Sequence, residues 1–230
     1  MFKLMLTAFL MLFAQHAMAL PKAFQANYAV SKGSLSLGNL HATLKYSGNQ
    51  YHYHKYTKAT GLAAVLTGIK ITENTDGIFS GENMTPQNYL FNQSRRKKSR
   101  IDKATFTTGK VTGSYKNKAY KLAISPNTQD RASLELVLAR DLAKNKTDLN
   151  YHVVERGKLK KYTFQKLGYQ KVKTSAGEFN AMKVKVVRDQ NSKRETIFWL
   201  AKEVDFLPVK IRHTEKGNVI TTIIKDYKRI

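Results

Sequence analysis

The 230-residue sequence contains no cysteine, only 4 prolines, a single tryptophan and 16 acidic residues. Without a thiol there is no disulfide framework, no thiolate metal site and no cysteine nucleophile. With 13 glycines and 4 prolines the chain is neither collagen-like nor low in complexity. The scarcity of acids against 40 lysines and arginines leaves a formal net charge of +24. A disordered polyelectrolyte is nonetheless excluded, because 42% of residues are hydrophobic and 10% aromatic. A chain of this length buries on the order of 70% of its unfolded surface, enough for one domain without covalent staples.

One long apolar run is present, Leu4 to Ala14, broken by Thr7. Lys3 is the sole charge within Met1–Ala19, and Ala17-Met18-Ala19 fits a small-x-small cleavage pattern. The run is too short to span a bilayer, which takes about 20 apolar residues. The expectation is a signal peptide over 1–19, cut after Ala19, and a single β-rich domain over 20–230 with no transmembrane span. No cysteine follows the apolar run, which excludes lipoprotein anchoring there. Loss of Lys3 leaves the mature chain at +23, in the periplasm of a Gram-negative cell.

Alternation dominates this mature chain. In Met182-Lys183-Val184-Lys185-Val186 the apolar side chains share one face and the lysines the other. Leu207, Val209 and Ile211 oppose Lys210 and Arg212, and Tyr162 and Phe164 alternate with Lys161 and Thr163. Similar runs fall near 24–31, 34–46, 50–58, 69–80, 86–93, 101–108, 111–116, 118–124, 149–156, 194–201 and 218–228. Ser47-Gly48-Asn49, Asp76-Gly77, Thr108-Gly109-Lys110, Lys116-Asn117-Lys118, Arg156-Gly157-Lys158, Ala176-Gly177-Glu178 and Lys216-Gly217-Asn218 supply turn chemistry between them. Frequent strands joined by tight turns predict a mainly β fold: a large curved antiparallel meander, a half-barrel or open barrel. One principal amphipathic helix is predicted at about 129–144, its apolar stripe made by Leu134, Val137, Leu138 and Leu142. Asn127 or Thr128 is the expected cap, with Asp130 in the first turn. Leu62–Leu66, between Gly61 and Gly68, suggests a second short helix or apolar loop.

Three stretches carry a family likeness. Asp130-Arg131-Ala132-Ser133-Leu134 opens the helix; Gly157–Phe164 leads into Gly177-Glu178-Phe179-Asn180-Ala181-Met182-Lys183-Val184; and Phe198-Trp199-Leu200-Ala201 precedes Leu207-Pro208-Val209-Lys210-Ile211. In this order they resemble the exported bacterial family catalogued as domain of unknown function 3108. The resemblance spans nearly all of the mature chain and implies an envelope location and a β-rich fold, with no catalytic residue to carry over. In outline the fold is similar to the half-barrels of periplasmic lipoprotein carriers, an analogy of architecture alone.

Catalytic signatures are missing. There is no Gly-x-Ser-x-Gly elbow, no His-Glu-x-x-His and no phosphate-binding glycine loop. His52 and His54 share a strand face, but a structural metal site needs four ligands and no third is identifiable, so neither metal nor cofactor is expected. Glu203 and Asp205 fall in a turn. Asp130 reads as a helix charge or as a partner for Arg131 or another arginine.

Charge is the stronger signal. Arg95-Arg96-Lys97-Lys98 with Arg100 places five cations within six residues, and Lys158, Lys160 and Lys161 form another group. Lys183, Lys185, Lys210 and Arg212 project from the polar faces of successive strands. Such surfaces attract phosphates, or they simply solvate an outer sheet face. Export makes nucleic acid the wrong polyanion and points to anionic lipid, an envelope polyanion or an acidic envelope protein. Aromatics and leucines would ordinarily be core, yet a sheet only partly covered by one helix leaves a groove. Leu62, Leu66, Leu134, Leu138, Tyr162, Phe164 and Trp199 are its candidate lining, with Leu62–Leu66 as a lid.

The sequence therefore supports a non-enzymatic binder of an anionic amphipathic envelope component. A basic module docking to an acidic envelope protein is the alternative, and an enzyme with a site assembled from distant loops is the second. N-terminal sequencing of the chain recovered from the periplasm is expected to begin at Leu20; a retained Met1 would overturn the signal-peptide reading.

Overall fold

The computed structural model describes residues 20–96 and 98–230; the expected signal peptide and Lys97 lie outside the described residues. The first eight strands are β1 (Phe24–Lys32), β2 (Leu35–Ser47), β3 (Gln50–Ala59), β4 (Ile69–Ser80), β5 (Asn83–Arg95), β6 (Lys98–Thr107), β7 (Lys110–Tyr115) and β8 (Lys118–Ala123). A helix, α1 (Gly61–Thr67), separates β3 from β4, and α2 (Arg131–Ala143) follows β8. Then come β9 (Asn150–Glu155), β10 (Lys158–Thr174), β11 (Gly177–Val186), β12 (Arg194–Ala201), β13 (Leu207–Glu215) and β14 (Asn218–Arg229). Among the described residues these make one 14-stranded sheet in the order β8-β7-β6-β5-β4-β3-β2-β1-β14-β13-β12-β11-β10-β9. Every neighbouring pair is antiparallel. The expected open antiparallel meander is therefore the observed fold.

Local chemistry makes the meander. Lys116-Asn117 (φ 51° and 64°), Arg156-Gly157 (53° and 69°) and Lys216-Gly217 (48° and 77°) each put two left-handed residues between strands. That is the type I′ geometry whose twist matches paired strands. The first and last strands pair in the middle of the sheet, so its edges are β8 and β9, and the chain crosses from one edge to the other through α2. The edges approach without closing. Val154 N–H donates to Gln129 O and Gln129 N–H to His152 O, both at 2.8 Å. Arg156 N–H donates to Asp102 Oδ2 on β6 at 2.7 Å. Gly157 lies against the Tyr120 ring of β8, where an added Cβ would come within 3.0 Å. These contacts cover edge strands that would otherwise invite pairing with another chain.

Two features of α2 differ from the sequence expectation. Its cap is Asp130, neither Asn127 nor Thr128. Asp130 Oδ1 accepts from Ala132 N–H (2.7 Å) and Ser133 N–H (2.9 Å), and Ser133 Oγ accepts from Asp130 N–H (3.0 Å), a reciprocal box. The helix also buries more than one stripe: Ala132, Ser133, Leu136 and Asp141 are enclosed along with Leu134, Val137, Leu138 and Leu142. The reason is tertiary. The sheet curls so that α2 touches β4 and β5 of one half and β9 and β13 of the other.

A charge network fastens helix to sheet. Lys55 Nζ lies 2.9 Å from Glu73 Oε2 and 2.6 Å from Glu135 Oε1 of α2, all on buried or half-buried side chains. Tyr89 O–H donates to Glu73 (2.7 Å) and Tyr53 O–H to Glu135 (3.1 Å). Arg131 Nε stands 3.8 Å from Glu73 and 3.9 Å from Glu155 of β9. Burial opposes ionisation of Glu73, but Lys55 and Arg131 outweigh it and hold its carboxyl down at about 2. Asp130, fully enclosed, is driven the other way: burial raises it to about 6 against the hydrogen bonds from Thr75, Ser133 and Ala132. It bonds Thr75 O–H at 2.6 Å and has no ion-pair contact with Arg131, contrary to one sequence reading.

Two outcomes follow from these opposed carboxyls. Lys55→Met leaves Glu73 and Glu135 without their ammonium and is expected to cost about 3–5 kcal/mol at pH 7 by urea denaturation. Because the folded pKa of Glu73 is depressed, its contribution is present above its unfolded value and disappears as pH falls from about 4.3 towards 2. An unchanged urea midpoint at pH 7 would refute the role of Lys55. Asp130→Asn retains a capping acceptor and removes the titration. A raised carboxyl stabilises the fold below its unfolded pKa and loses that contribution as pH rises through about 6. Relative to Asp130→Asn, the wild type should therefore lose on the order of 2–3 kcal/mol between pH 4 and pH 7; parallel pH curves for the two proteins would contradict it.

Candidate functional site

The inner face of the C-terminal half, with α2 opposite, encloses a cavity of about 430 Å³. That is within the range of roughly 300–1,000 Å³ that ligand pockets span, towards its small end. Strand alternation sets the lining. From β12, Arg194, Thr196, Phe198 and Leu200 face in; β13 contributes Pro208, Ile211, His213 and Glu215; β10 contributes Lys160, Tyr162 and Phe164. Helix α2 closes the space with Arg131, Leu134, Glu135 and Leu138.

The register sorts these residues by polarity. Leu200 pairs with Pro208 and Phe198 with Ile211, so one end is apolar; Thr196 pairs with His213 and Arg194 with Glu215, so the other is polar. On the adjoining strands Phe164 pairs with Val186, and Val184 with Phe198. The polar end gathers Arg131, Arg156, Lys160, Arg188 and Arg194 against Glu155 and Glu215. Most of these cations are committed. Lys160 Nζ lies 2.6 Å from Glu155, Arg156 Nε 3.5 Å from Glu155, and Arg194 Nη2 2.5 Å from Glu215. Tyr162 O–H also donates to Glu155 at 3.0 Å. Burial works against ionisation of Glu155, yet Lys160 and Arg131 keep its carboxyl below the usual range. Burial first, then Glu155, pushes the Tyr162 phenol up to about 12. Arg188 differs: its Nη2 donates to Thr196 Oγ1 at 3.4 Å, and no carboxylate lies within ion-pair distance of it among the described residues. An exposed guanidinium without a carboxylate at the mouth of an apolar cavity is available to an incoming anion.

The sequence candidates divide among several places. Leu134, Leu138, Tyr162 and Phe164 line the cavity. Trp199, Leu62 and Leu66 do not. Trp199 is one residue out of phase with the inward-facing Phe198 and lies on the outer face, still buried because β10 extends past a bulge at Lys166–Tyr169. Gly168 has φ 88° at that bulge; beyond it Gln170 Oε1 accepts from Trp199 Nε1–H at 2.9 Å and Ser175 O–H donates to Lys225 O. Leu62 and Leu66 sit on α1, which packs on β2 and β3, and neither contributes to the cavity lining, so α1 does not cover it as a lid.

The cations divide likewise. Lys183, Lys210 and Arg212 ring Trp199 on the outer face, their charged groups 5.6, 4.9 and 5.9 Å from an indole ring centroid. Lys185 (3.1 Å) and Arg212 (3.0 Å) pair with Glu195 beside them. Arg95, Arg96 and Lys98 form the exposed β5–β6 turn, whereas Arg100 lays its guanidinium 5.4 Å from the Phe91 ring centroid. None of these residues reaches the cavity. His52 pairs with Asp76, and His54 hydrogen-bonds Asn74 at 2.5 Å. Sequence reasoning missed Arg131, Arg156, Arg188 and Arg194 because isolated arginines form no run. Their signal was phase: Arg194 has the parity of Phe198 and Leu200.

The comparisons with known proteins address the fold. The family described as "Protein of unknown function (DUF3108)" matches residues 24–225. Among solved structures, the "Beta-barrel-like Protein of Domain of Unknown Function DUF1849" from Brucella abortus is similar at TM-score 0.59 and 10% identity, covering 92% of this chain and 99% of the other. A "putative lipoprotein" from Parabacteroides distasonis aligns at TM-score 0.36 and 11% identity, covering 92% of this chain and 98% of the other. MucB aligns at TM-score 0.33 and 6% identity over 92% of this chain and 55% of its own. No curated protein matches the chain. Since the match runs through both halves of the sheet and the helix between them, the chain belongs to the DUF3108 family.

Proposed function

We propose that the protein is a non-enzymatic periplasmic binder of a single-chain anionic amphiphile. Its apolar part occupies the space between α2 and the inner faces of β10–β13, and its headgroup meets the cations at the polar end. One observation carries this reading: the polarity of the cavity changes along the strands from Leu200 and Pro208 to Arg194 and Arg188, and among the described residues no carboxylate lies within ion-pair distance of Arg188. A purely structural void would be apolar throughout and dry. On the same lining Thr196 Oγ1 lies 2.9 Å from His213 Nδ1, and His213 Nε2 3.8 Å from Glu215 Oε2, so a hydroxyl does stand beside an imidazole and the binder reading rests on the polarity gradient alone. The modest volume favours one acyl chain over two.

Dodecyl phosphate, added below its micelle concentration, is the probe. Calorimetric titration is expected to show one site, with Arg188→Gln weakening it about tenfold, the worth of one charge-assisted hydrogen bond. Leu138→Asp should abolish binding by placing a carboxylate at the apolar end. Dodecyltrimethylammonium of the same chain length should bind far less tightly. Equal affinity for the two amphiphiles, or wild-type affinity in Arg188→Gln, would refute the proposal.

A further inference from the structure

Helix α1 is built in an unusual way for a soluble surface. It buries none of its residues. Leu62, Val65 and Leu66 are 61%, 73% and 60% exposed. At i, i+3 and i+4 they share one face, so the apolar stripe of this helix is turned to solvent. The helix is set off by Gly61 (φ 53°) and Gly68 (φ 57°), left-handed positions that an L side chain adopts only with strain. Arg96 holds it from the other side, donating from Nη2 to Val65 O at 3.2 Å. Thus the tertiary fold brings together two segments whose contacting residues, Val65 and Arg96, are 31 positions apart in sequence: the apolar Leu62–Leu66 run and the basic β5–β6 turn.

That end of the sheet is cationic without compensation. Lys58 and Lys70 stand directly opposite each other on β3 and β4, and Arg95 opposite Lys98 on β5 and β6. Facing like charges are destabilising, so neither pair is there for the fold. Lys58, Lys70, Arg95, Arg96 and Lys98 are all exposed, and among the described residues none has a carboxylate within ion-pair distance. The first acidic residue of the whole chain is Glu73, which is buried and paired with Lys55.

We propose that α1 and this cationic end form an interfacial docking site for an anionic phospholipid bilayer. A free phosphate or a polyanion would satisfy the cations and leave Leu62, Val65 and Leu66 in water. An apolar partner would cover the stripe and strand the cations. A bilayer with acidic headgroups meets both demands: cations engage the headgroups while the stripe enters the boundary between headgroups and acyl chains. A seven-residue helix with three apolar anchors gives reversible attachment, not permanent insertion.

The strand ends place this surface on the same rim of the sheet as the polar end of the cavity. Glu215 pairs with Asn218, whose Oδ1 accepts from Lys32 Nζ at 2.7 Å; Lys32 pairs with Leu35; and Leu37 O accepts from Thr60 N–H just before α1. The turns carrying the cavity mouth and those carrying α1 therefore occupy one rim of the sheet. Docking through α1 stands on its own observations and does not need the cavity to hold a ligand.

The chain has no cysteine, so Val65→Cys in the full mature protein gives one labelling site for an environment-sensitive fluorophore. With phosphatidylglycerol vesicles at low salt, its emission is expected to shift to the blue and to return as salt rises. Phosphatidylcholine vesicles should leave it unchanged. Arg95→Gln and Lys98→Gln, which leave α1 intact, should each raise the half-saturating lipid concentration about fivefold. Leu62→Asn with Leu66→Asn should abolish the shift while the circular dichroism spectrum and thermal midpoint stay put. No shift with phosphatidylglycerol would overturn the proposal, as would an equal shift with phosphatidylcholine. So would a shift that grows with protein concentration alone, marking a second copy, or one produced by soluble polyglutamate and not by vesicles. These readings concern label position 65 only, so failure here leaves the dodecyl phosphate titration to judge the cavity separately.

Discussion

Arg131 is the constraint on which the arrangement depends. It opens α2 directly after the Asp130 cap, and its guanidinium lies between Glu73 of β4 and Glu155 of β9, strands from opposite halves of the sheet. Glu73, the largest influence, keeps Arg131 charged despite burial. With Lys55 clamped between Glu73 and Glu135, the helix is held from both sides, and hydrogen bonds through Gln129 and from Arg156 to Asp102 tie the two halves of the meander together without closing it. Buried ion pairs are poor sources of net stability compared with well-packed apolar groups. What they provide here is position: α2 sits where Leu134 and Leu138 form one wall of the cavity and Arg131 one edge of its polar end.

The positive charge of the chain is spent in unlike ways. At the cavity mouth most cations are paired with Glu155 or Glu215, and Arg188 is the exception. On the outer face Lys183, Lys210 and Arg212 lie around Trp199, their charged groups held against the face of its ring. At the α1 end no carboxylate among the described residues lies within ion-pair distance of the cations, and an apolar helix lies beside them. A net charge alone cannot distinguish these environments, since each produces the same local count of lysine and arginine. Distance to the nearest carboxylate does.

Much of this architecture was legible in the sequence. The period-two alternation and the Lys-Asn, Arg-Gly and Lys-Gly turns fix strands and hairpins through neighbours only a few residues apart, so local pattern suffices. The inner lining from α2 and β10, namely Leu134, Leu138, Tyr162 and Phe164, was also readable, because apolar periodicity marks the face that must be covered. Trp199 shows where such reading stops. Its size argues for the main core, but its phase on β12 sends it outward, and only the fold-back of β10 beyond Gly168 buries it. The cap of α2 was misplaced by two or three residues for a similar reason: Asn127, Thr128 and Asp130 are all capping residue types, and Thr75 from a distant strand helps to settle Asp130 in place.

The sequence by itself determined the class of fold, the strands and turns, the excess of cations and the existence of two apolar runs outside the strand rhythm, because each of these follows from nearest neighbours in the chain. The tertiary structure decided which cations are neutralised, which aromatic rings face inward, and that Leu62–Leu66 lies against Arg96 instead of over the cavity. Those outcomes depend on the curl of the sheet around α2, a sum of small twists and a few buried charge contacts between residues far apart in sequence, and no local pattern encodes that sum.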